Sequence, residues 1–441
     1  MGERVVLLGI DGLDWSRLRA GVSAGRLPVF AELLETGAYA EVAVTPCVPV
    51  LAKLRNGLNS PTLWTTIAAG QYYFQHGVFE FLNLFESPIQ PPLFASRHVR
   101  TPRMWDVLSQ YQHTSLVFGY YVTHPATALQ GLMVSDLFGD VDDPSVVWPA
   151  ERLDEMARAL GAPDYAAYRR GQGRLGTDVG IEQVCQGAPE QAELRKSAER
   201  ILREFTSLPP QSIARLLAGD GDANERRLLE YRLIYPVIRD ERFHRLLLRE
   251  LPRGDWTLAT IYYRTIDFVS HGFWTEGHSL APSFQHAYGE VIDRAYARAD
   301  AWVGEIRGQL APGDRLIVLS DHGFRTNPTA ADATQVKHIA DLCRGDHAEP
   351  AVLIVSGGGR RGRVDGVSLL DIAPSVYDLV GIPPAASLDG GAVPGLLHAG
   401  APRGLPPVSS YAAPPGCQRE EIKSEEQDAI RRRLADLGYL E

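Results

Sequence analysis

Seven side chains in this sequence are of types that bind divalent metals or attack an electrophile, and most of them close a short apolar run: Asp11, Ser60, Asp267 with His271, Asp321 with His322, and His347. Carboxylates are hard oxygen donors and imidazoles borderline nitrogen donors, a mixture that suits zinc or manganese. Two such ions roughly 4 Å apart can balance the charge that builds on the attacking and leaving oxygens of an in-line displacement at phosphorus. Each fragment alone has a commoner explanation. A strand-ending Asp-Gly is usually a turn, and an Asp-x-x-x-His pair is usually a solvated helix face. Their conjunction is harder to explain by folding needs, which favour apolar residues or turn formers at the ends of several buried strands.

The elements that must position these groups are legible around them. Val5 to Ile10 is a continuous β-branched apolar run, the pattern of a strand covered on both faces, and it delivers Asp11-Gly12. Leu316 to Ser320 repeats the arrangement and delivers Asp321-His322-Gly323. Leu258 to Tyr263 is a third strand, followed by Asp267 and His271, whose four-residue offset puts both on one face of a helical turn. His347 precedes the apolar run Ala351 to Val355 and is expected at a sheet margin, with His338 the nearby competitor. Open α/β sheets bind ligands at the carboxyl edge of their strands, where these groups would gather. Asn59-Ser60-Pro61-Thr62 passes from loop formers into a helix-compatible stretch that runs to Gly70. Ser60 is therefore expected near a helix amino end, where the dipole and backbone N–H groups favour a phosphate and a developing alkoxide. It could serve as a nucleophile or merely as an N-cap, and Thr62 is a competing nucleophile.

Together these segments resemble the type I phosphodiesterase/nucleotide pyrophosphatase family of the alkaline phosphatase superfamily. That family's pattern reads here as Asp11-Gly12, Ser60 through Trp64-Thr65-Thr66 to Gly70 with His76-Gly77, Asp267 to His271, Ser320-Asp321-His322-Gly323, and His347. The resemblance implies Ser60 rather than Thr62 as nucleophile. It also implies two divalent ions, Zn2+ or else Mn2+, one on Asp11, Ser60, Asp321 and His322 and the other on Asp267, His271 and His347. The implied fold is an α/β, alkaline-phosphatase-like three-layer sandwich with a mostly parallel central sheet and an inserted helical cap. The implied activity is a metal-dependent phosphoric ester hydrolase, diesters favoured, working through a phosphoserine. Monoester cleavage or phosphoryl transfer is the related alternative, and a catalytically silent metal- and ligand-binding protein the alternative of another class. Two departures stand out: Leu63 replaces the Asn that nucleotide-hydrolysing relatives usually carry, leaving Asn59 as the nearest helper, and serine replaces their familiar threonine.

With 441 residues, 45% of them hydrophobic, the chain can bury a large core. Polar, Gly and Pro clusters near 139–145 and 251–255 bracket a stretch of helical texture, Glu151 to Leu160, Ala192 to Phe205 and Asn224 to Leu251. The expected division is a core of residues 1–140 and 252–398, a cap of 141–251, and a tail of 399–441 whose amphipathic helix, Ser424 to Leu437, packs on the core or on a second subunit. A net charge of −10 and a pI near 5.7 argue against nucleic-acid or anionic-membrane surfaces and leave a small-molecule phosphate ester as the expected partner. Four cysteines without CxxC spacing read as isolated thiols, and Cys47-Val48-Pro49 fails the sulfatase formylglycine pattern at Leu51. Neither a targeting segment nor a spanning run is visible, so a cytoplasmic location is expected. Gly357 to Arg363 reads as a mobile surface turn lacking the P-loop lysine. Tyr72, Tyr73, Phe74, Phe79 and Phe81 read chiefly as core, with Tyr72 and Tyr73 also candidates to stack on a planar leaving group. Tyr121, Thr123 and His124, after the strand-like run Thr114 to Gly119, are candidates for the cleft wall.

Overall fold

In the computed structural model, residues 3–44, 58–79, 94–172, 192–327 and 344–414 are described. Nine strands make the main sheet: β1 (Val5–Ile10), β2 (Ala38–Val42), β3 (Ser115–Phe118), β4 (Gly131–Val134), β5 (Val147–Trp148), β6 (Leu258–Tyr263), β7 (Arg315–Leu319), β10 (Ala351–Ser356) and β11 (Gly362–Arg363). A two-stranded ribbon, β8 (Gly323–Thr326) with β9 (Gly345–Ala348), stands apart from it. The order across the sheet is β11-β2-β10-β7-β1-β6-β3-β4-β5. The central strands β7, β1, β6, β3 and β4 are all parallel, while β10 and β5 pair antiparallel.

Two-residue alternation explains why the central strands are apolar throughout. Val6, Leu8, Ile10, Ala259, Ile261, Leu316 and Val318 face one helical layer, where Leu18, Leu246, Trp302 and Ile306 cover them. Val5, Leu7, Leu258, Tyr262, Ile317 and Leu319 face the other, built on Leu63, Trp64, Ile67, Trp105 and Tyr377. The sheet is thus the middle of three layers, in agreement with the sequence reading. Gly9 is what lets the helix Ser60–Ala69 lie on β1, because a Cβ there would sit 2.6 Å from the Trp64 ring.

Helices form where the spacing predicts them between residues 141 and 251: Leu153–Ala159, Ala192–Phe205, Ala223–Leu229 and Tyr235–Glu250, the last two joined by a π-helical turn at Glu230–Ile234. Their apolar faces, including Met156, Ile201, Phe205 and Phe243, bury in the same cluster as the sheet residues, and Tyr235–Glu250 packs directly on β3 and β6. The segment Gly357 to Arg363 is better ordered than its composition suggests. Gly362–Arg363 pairs in parallel with β2, and Gly358 lies so close to the Leu396 carbonyl that no Cβ would fit. No helix of the described residues is long and apolar enough to cross a membrane. Cys47, Leu51, Phe81, His338 and the tail helix from Ser424 lie outside the described residues.

His76 is fully buried against the helix that carries Ser60. Val78 N–H donates to its Nδ1 at 3.2 Å, so the ring proton resides on Nε2 and goes to Thr66 Oγ1 at 3.0 Å. Burial lowers its pKa to about 3. The unfolded chain takes up a proton near pH 6.5 that the folded chain refuses until about pH 3, so stability falls as pH drops through that window. By pH 4 the expected loss from this group is about 3 kcal/mol, at 1.36 kcal/mol per pH unit. Urea unfolding at pH 7, 5.5 and 4 should show a shallower pH dependence for His76→Gln than for the parent, and parallel curves would dismiss the effect.

Candidate active site

The parallel strands end side by side, and their last residues turn into the site. Asp11 follows β1, and its N–H extends the ladder to Tyr263 O at 2.9 Å. Gly12 then takes a left-handed φ of 68°, freeing the chain to leave the sheet beside Phe324. Asp321 and His322 follow β7 in the same way and are completely buried. Asp267 and His271 sit on the helix Thr265–Phe273. The start of that helix is fixed by Asp240, whose Oδ2 accepts from Arg264 N, Thr265 N and Thr265 Oγ1 at 2.9, 2.8 and 2.6 Å. Its end is fixed by Arg344, which donates from its backbone to His271 O and from Nη1 to Gly272 O. His347 does not merely lead into a strand; it lies within β9, opposite Phe324 of β8. The ribbon therefore carries the last histidine over the ends of β1 and β7.

The donor atoms form one contiguous patch. His271 Nε2 and His347 Nε2 are 2.9 Å apart, and they lie 3.3 and 3.2 Å from Asp267 Oδ1. His322 Nε2 is 3.3 Å from Asp11 Oδ1, 3.5 Å from Asp321 Oδ2 and 3.9 Å from Asp267 Oδ1. Tetrahedral ligands on bonds of 2.0–2.1 Å stand about 3.3 Å from one another, which matches these separations. Among the described residues two groups meet the requirement for an ion, Asp11 with Asp321 and His322, and Asp267 with His322 and His347. His322 is common to both, whereas the sequence reading gave it to the first alone.

Whether these residues suit a metal can be judged from their hydrogen bonds. His271 Nδ1 faces Gly345 O, His347 Nδ1 faces Leu58 O and His322 Nδ1 faces Gly323 O. A carbonyl can only accept, so each Nδ1 carries the proton and each Nε2 turns a lone pair inward, the arrangement that outer partners give to metal-binding imidazoles. Two such lone pairs 2.9 Å apart repel unless a cation lies between them. Asp267 Oδ1, Asp321 Oδ2 and His322 Nε2 are buried and make no hydrogen bond among the described residues. Burial and the adjacent Asp11 carboxylate push Asp321 well above the usual carboxylate range. Burial opposes charge on His322, yet Asp321, Asp11 and Asp267 outweigh it and lift the imidazole to about 9. Three carboxylates in a dry space thus call for positive charge, and the residues fit divalent ions.

Ser60 is the first residue of its helix, not the cap. Asn59 caps it, accepting Thr62 N–H on Oδ1 at 3.1 Å and giving Nδ2 to Phe79 O at 3.2 Å. Ser60 Oγ donates to Asp11 Oδ1 at 3.3 Å, and the Tyr262 hydroxyl occupies Asp11 Oδ2. The structure thus gathers Asp11, Ser60, Asp267, His271, Asp321, His322 and His347 in one place. Asn59 and Tyr121 adjoin it, and the other candidates lie elsewhere. Thr62 is buried with its hydroxyl on Asn59, and Leu63 lies in the core. Tyr72 and Tyr73 follow the far end of the ten-residue helix, roughly 15 Å from Ser60 at 1.5 Å per residue. Thr123 is bound to Asp136 and His124 pairs with Asp143, while Tyr121 packs at a tilt against Tyr262, ring centroids 4.7 Å apart. Tyr262, Asp240 and Arg344 carry no motif and escaped the sequence reading; the register opposite Gly9 was the one available hint of Tyr262.

A model of the family described as type I phosphodiesterase / nucleotide pyrophosphatase matches residues 5–374. The chain belongs to this family. Its members are hydrolases of phosphoric esters within the alkaline phosphatase superfamily, which is metal-dependent. Among solved structures, a multiply substituted form of the alkaline phosphatase PafA is similar at TM-score 0.53 and 11% identity, covering 89% of this chain and 98% of that one. This likeness shows the fold of the family member. Human ectonucleotide pyrophosphatase/phosphodiesterase 5 matches at TM-score 0.45 and 10% identity, over 90% and 97% of the two chains. Phosphonoacetate hydrolase from Sinorhizobium meliloti 1021 matches at TM-score 0.37 and 13% identity, and the match covers 75% of this chain and 58% of the hydrolase. No curated protein matches the sequence.

Proposed function

We propose that the protein hydrolyses small phosphoric esters, diesters in preference, through attack by Ser60 with two divalent ions, zinc or else manganese, on the donor patch. The observation that carries this reading is the Ser60 hydroxyl hydrogen-bonded to Asp11 at the edge of three inward-facing imidazoles and three buried carboxylates. Asp11, Asp321 and His322 would hold one ion, and Asp267, His271 and His347 the other. When bound, the ions supply Lewis acidity to the phosphoryl oxygens.

The chain's own groups account for the rest. Asp11 Oδ1 orients the Ser60 hydroxyl, and Tyr262 in turn holds Asp11. Ser60 Oγ bonds to phosphorus as the ester oxygen leaves, and water then cleaves the phosphoserine. The helix end adds little hydrogen bonding. Pro61 has no N–H, Thr62 N–H is spent on the cap and Leu63 N–H on Asn59 O, leaving that of Ser60 itself. With Leu63 in the core as well, transition-state charge falls largely to the cations. The net charge of −10 favours a small ester over nucleic acid as substrate.

Hydrolysis of bis(4-nitrophenyl) phosphate against 4-nitrophenyl phosphate, with zinc or manganese added, tests the reading. Faster diester cleavage supports it, faster monoester cleavage makes the protein a phosphatase, and no turnover with ions bound points to a transferase or binding protein. Chelation supplies a second test. Zinc at a hundredfold excess over its Kd should stabilise the fold by about 2.7 kcal/mol. Because ions compete with protons for the histidines, that gain should shrink between pH 8 and pH 5. Melting curves with and without EDTA at both pH values would show it; no gain at pH 8 would remove the metals from the scheme.

A further inference from the structure

Three residues before Asp267, Arg264 is 8% exposed and forms no ion pair among the described residues. Among the described residues its only side-chain hydrogen bond is a long one, Nη1 to the Tyr235 hydroxyl at 3.4 Å, and Nε has none. An arginine stays charged when buried, and a guanidinium withdrawn from water without an anion is costly. Two acidic side chains of this region are engaged elsewhere. Asp240 spends its oxygens on the helix start and Arg239, and Asp140 spends its own on Arg242 and Tyr235. What surrounds the guanidinium is aromatic: its carbon lies 5.6 Å from the Phe268 ring, 5.7 Å from Tyr121, 5.8 Å from Tyr235 and 5.9 Å from Tyr262. Phe268, Tyr121 and Tyr235 keep part of their surface in solvent, so the cage has an open rim. Tyr262 links it to the reaction centre, since its hydroxyl rests on Asp11.

We infer that Arg264 receives a second oxyanion of the substrate, carried by the leaving group next to the scissile phosphoryl, with the aromatic rim flanking the linker. This rests on the hydrolase reading for the words substrate and leaving group. The fork of N–H donors suits a carboxylate or a phosphate equally. It assigns Arg264 a specificity role that Leu63 cannot supply.

Calorimetric titration of zinc-loaded Ser60→Ala protein, chosen to slow turnover, tests the inference with phenyl phosphate, 4-carboxyphenyl phosphate and 1,4-phenylene bisphosphate. One of the two doubly charged probes should bind at least tenfold more tightly than phenyl phosphate, and the tighter one names the oxyanion. Arg264→Met should bring the ratio to within about twofold of one. Arg264→Lys, which keeps the charge and loses the fork, should retain part of it. Equal affinities for all three probes overturn the inference without any change at residue 264, so it stands or falls even where the Met variant does not fold. A preference that survives in Arg264→Met overturns it too. Absent turnover of both nitrophenyl esters by the parent, with the preference intact, would sink the hydrolase reading and leave the Arg264 assignment standing.

Discussion

Ser60→Ala should lower kcat for the preferred nitrophenyl ester by on the order of 10³-fold or more, because no other hydroxyl replaces an attacking nucleophile. The fold should survive: alanine suits the first position of a helix whose cap is Asn59, and the Asp11 bond it removes is a single hydrogen bond worth about 1 kcal/mol. Thr62→Val is the informative companion. Its hydroxyl belongs to the Asn59 cap, so it should cost stability and leave much of the rate. Steady-state kinetics beside urea unfolding separates the two, and a loss below tenfold in Ser60→Ala would return the nucleophile to Thr62 or to water.

Asp240→Ala should be the most damaging change outside the donor patch. Burial pushes the Asp240 carboxyl up, although Arg239 beside it and three donors from the next helix pull the other way. Such a pair is expensive to bury, yet breaking it strands the remaining charge, with an expected loss of about 3–5 kcal/mol. Arg239 also donates to Gly119 O at 2.8 Å, so one helix ties the exit of β3 to the start of the helix bearing Asp267 and His271. Zinc affinity should therefore fall about 10–100-fold, the usual cost of losing an outer support. Denaturant melts and zinc titrations measure both, and Asp240→Asn should recover part of each by keeping an acceptor. An Asp240→Ala protein with parental zinc affinity would show that the helix holds its ligands unaided.

What could be read from the sequence was whatever short-range chemistry dictates. β1 and β6 appear with the boundaries the apolar runs gave them, because strands covered on both faces can hold little else. Asp11, Asp321 and His322 were legible as the polar residues that interrupt such runs, and Ser60 as a small polar residue near the amino end of a helix-compatible stretch, although the cap proved to be Asn59. The ribbon of β8 and β9 was not, since Gly323–Thr326 and Gly345–Ala348 are short, mixed in polarity and paired across a long excursion. His347 was consequently placed at a sheet margin when it arrives on a separate strand. Asp240 and Arg264 were invisible for another reason. Their meaning lies in which side chains the fold brings, or fails to bring, against them, and no spacing rule encodes an absent partner.

The donors lie far apart in the chain, with Asp11 directly after the first strand and His347 in the second strand of the ribbon. During synthesis the earliest ligand must wait for the latest, and neither fragment alone can assemble the patch. Under the proposed function, metal uptake is then a late event: a chain ending before the ribbon would lack His347 and with it one donor of the patch. The ions would then be acquired once the ribbon has formed rather than recruited as folding nuclei, sparing the partly made chain a reactive centre.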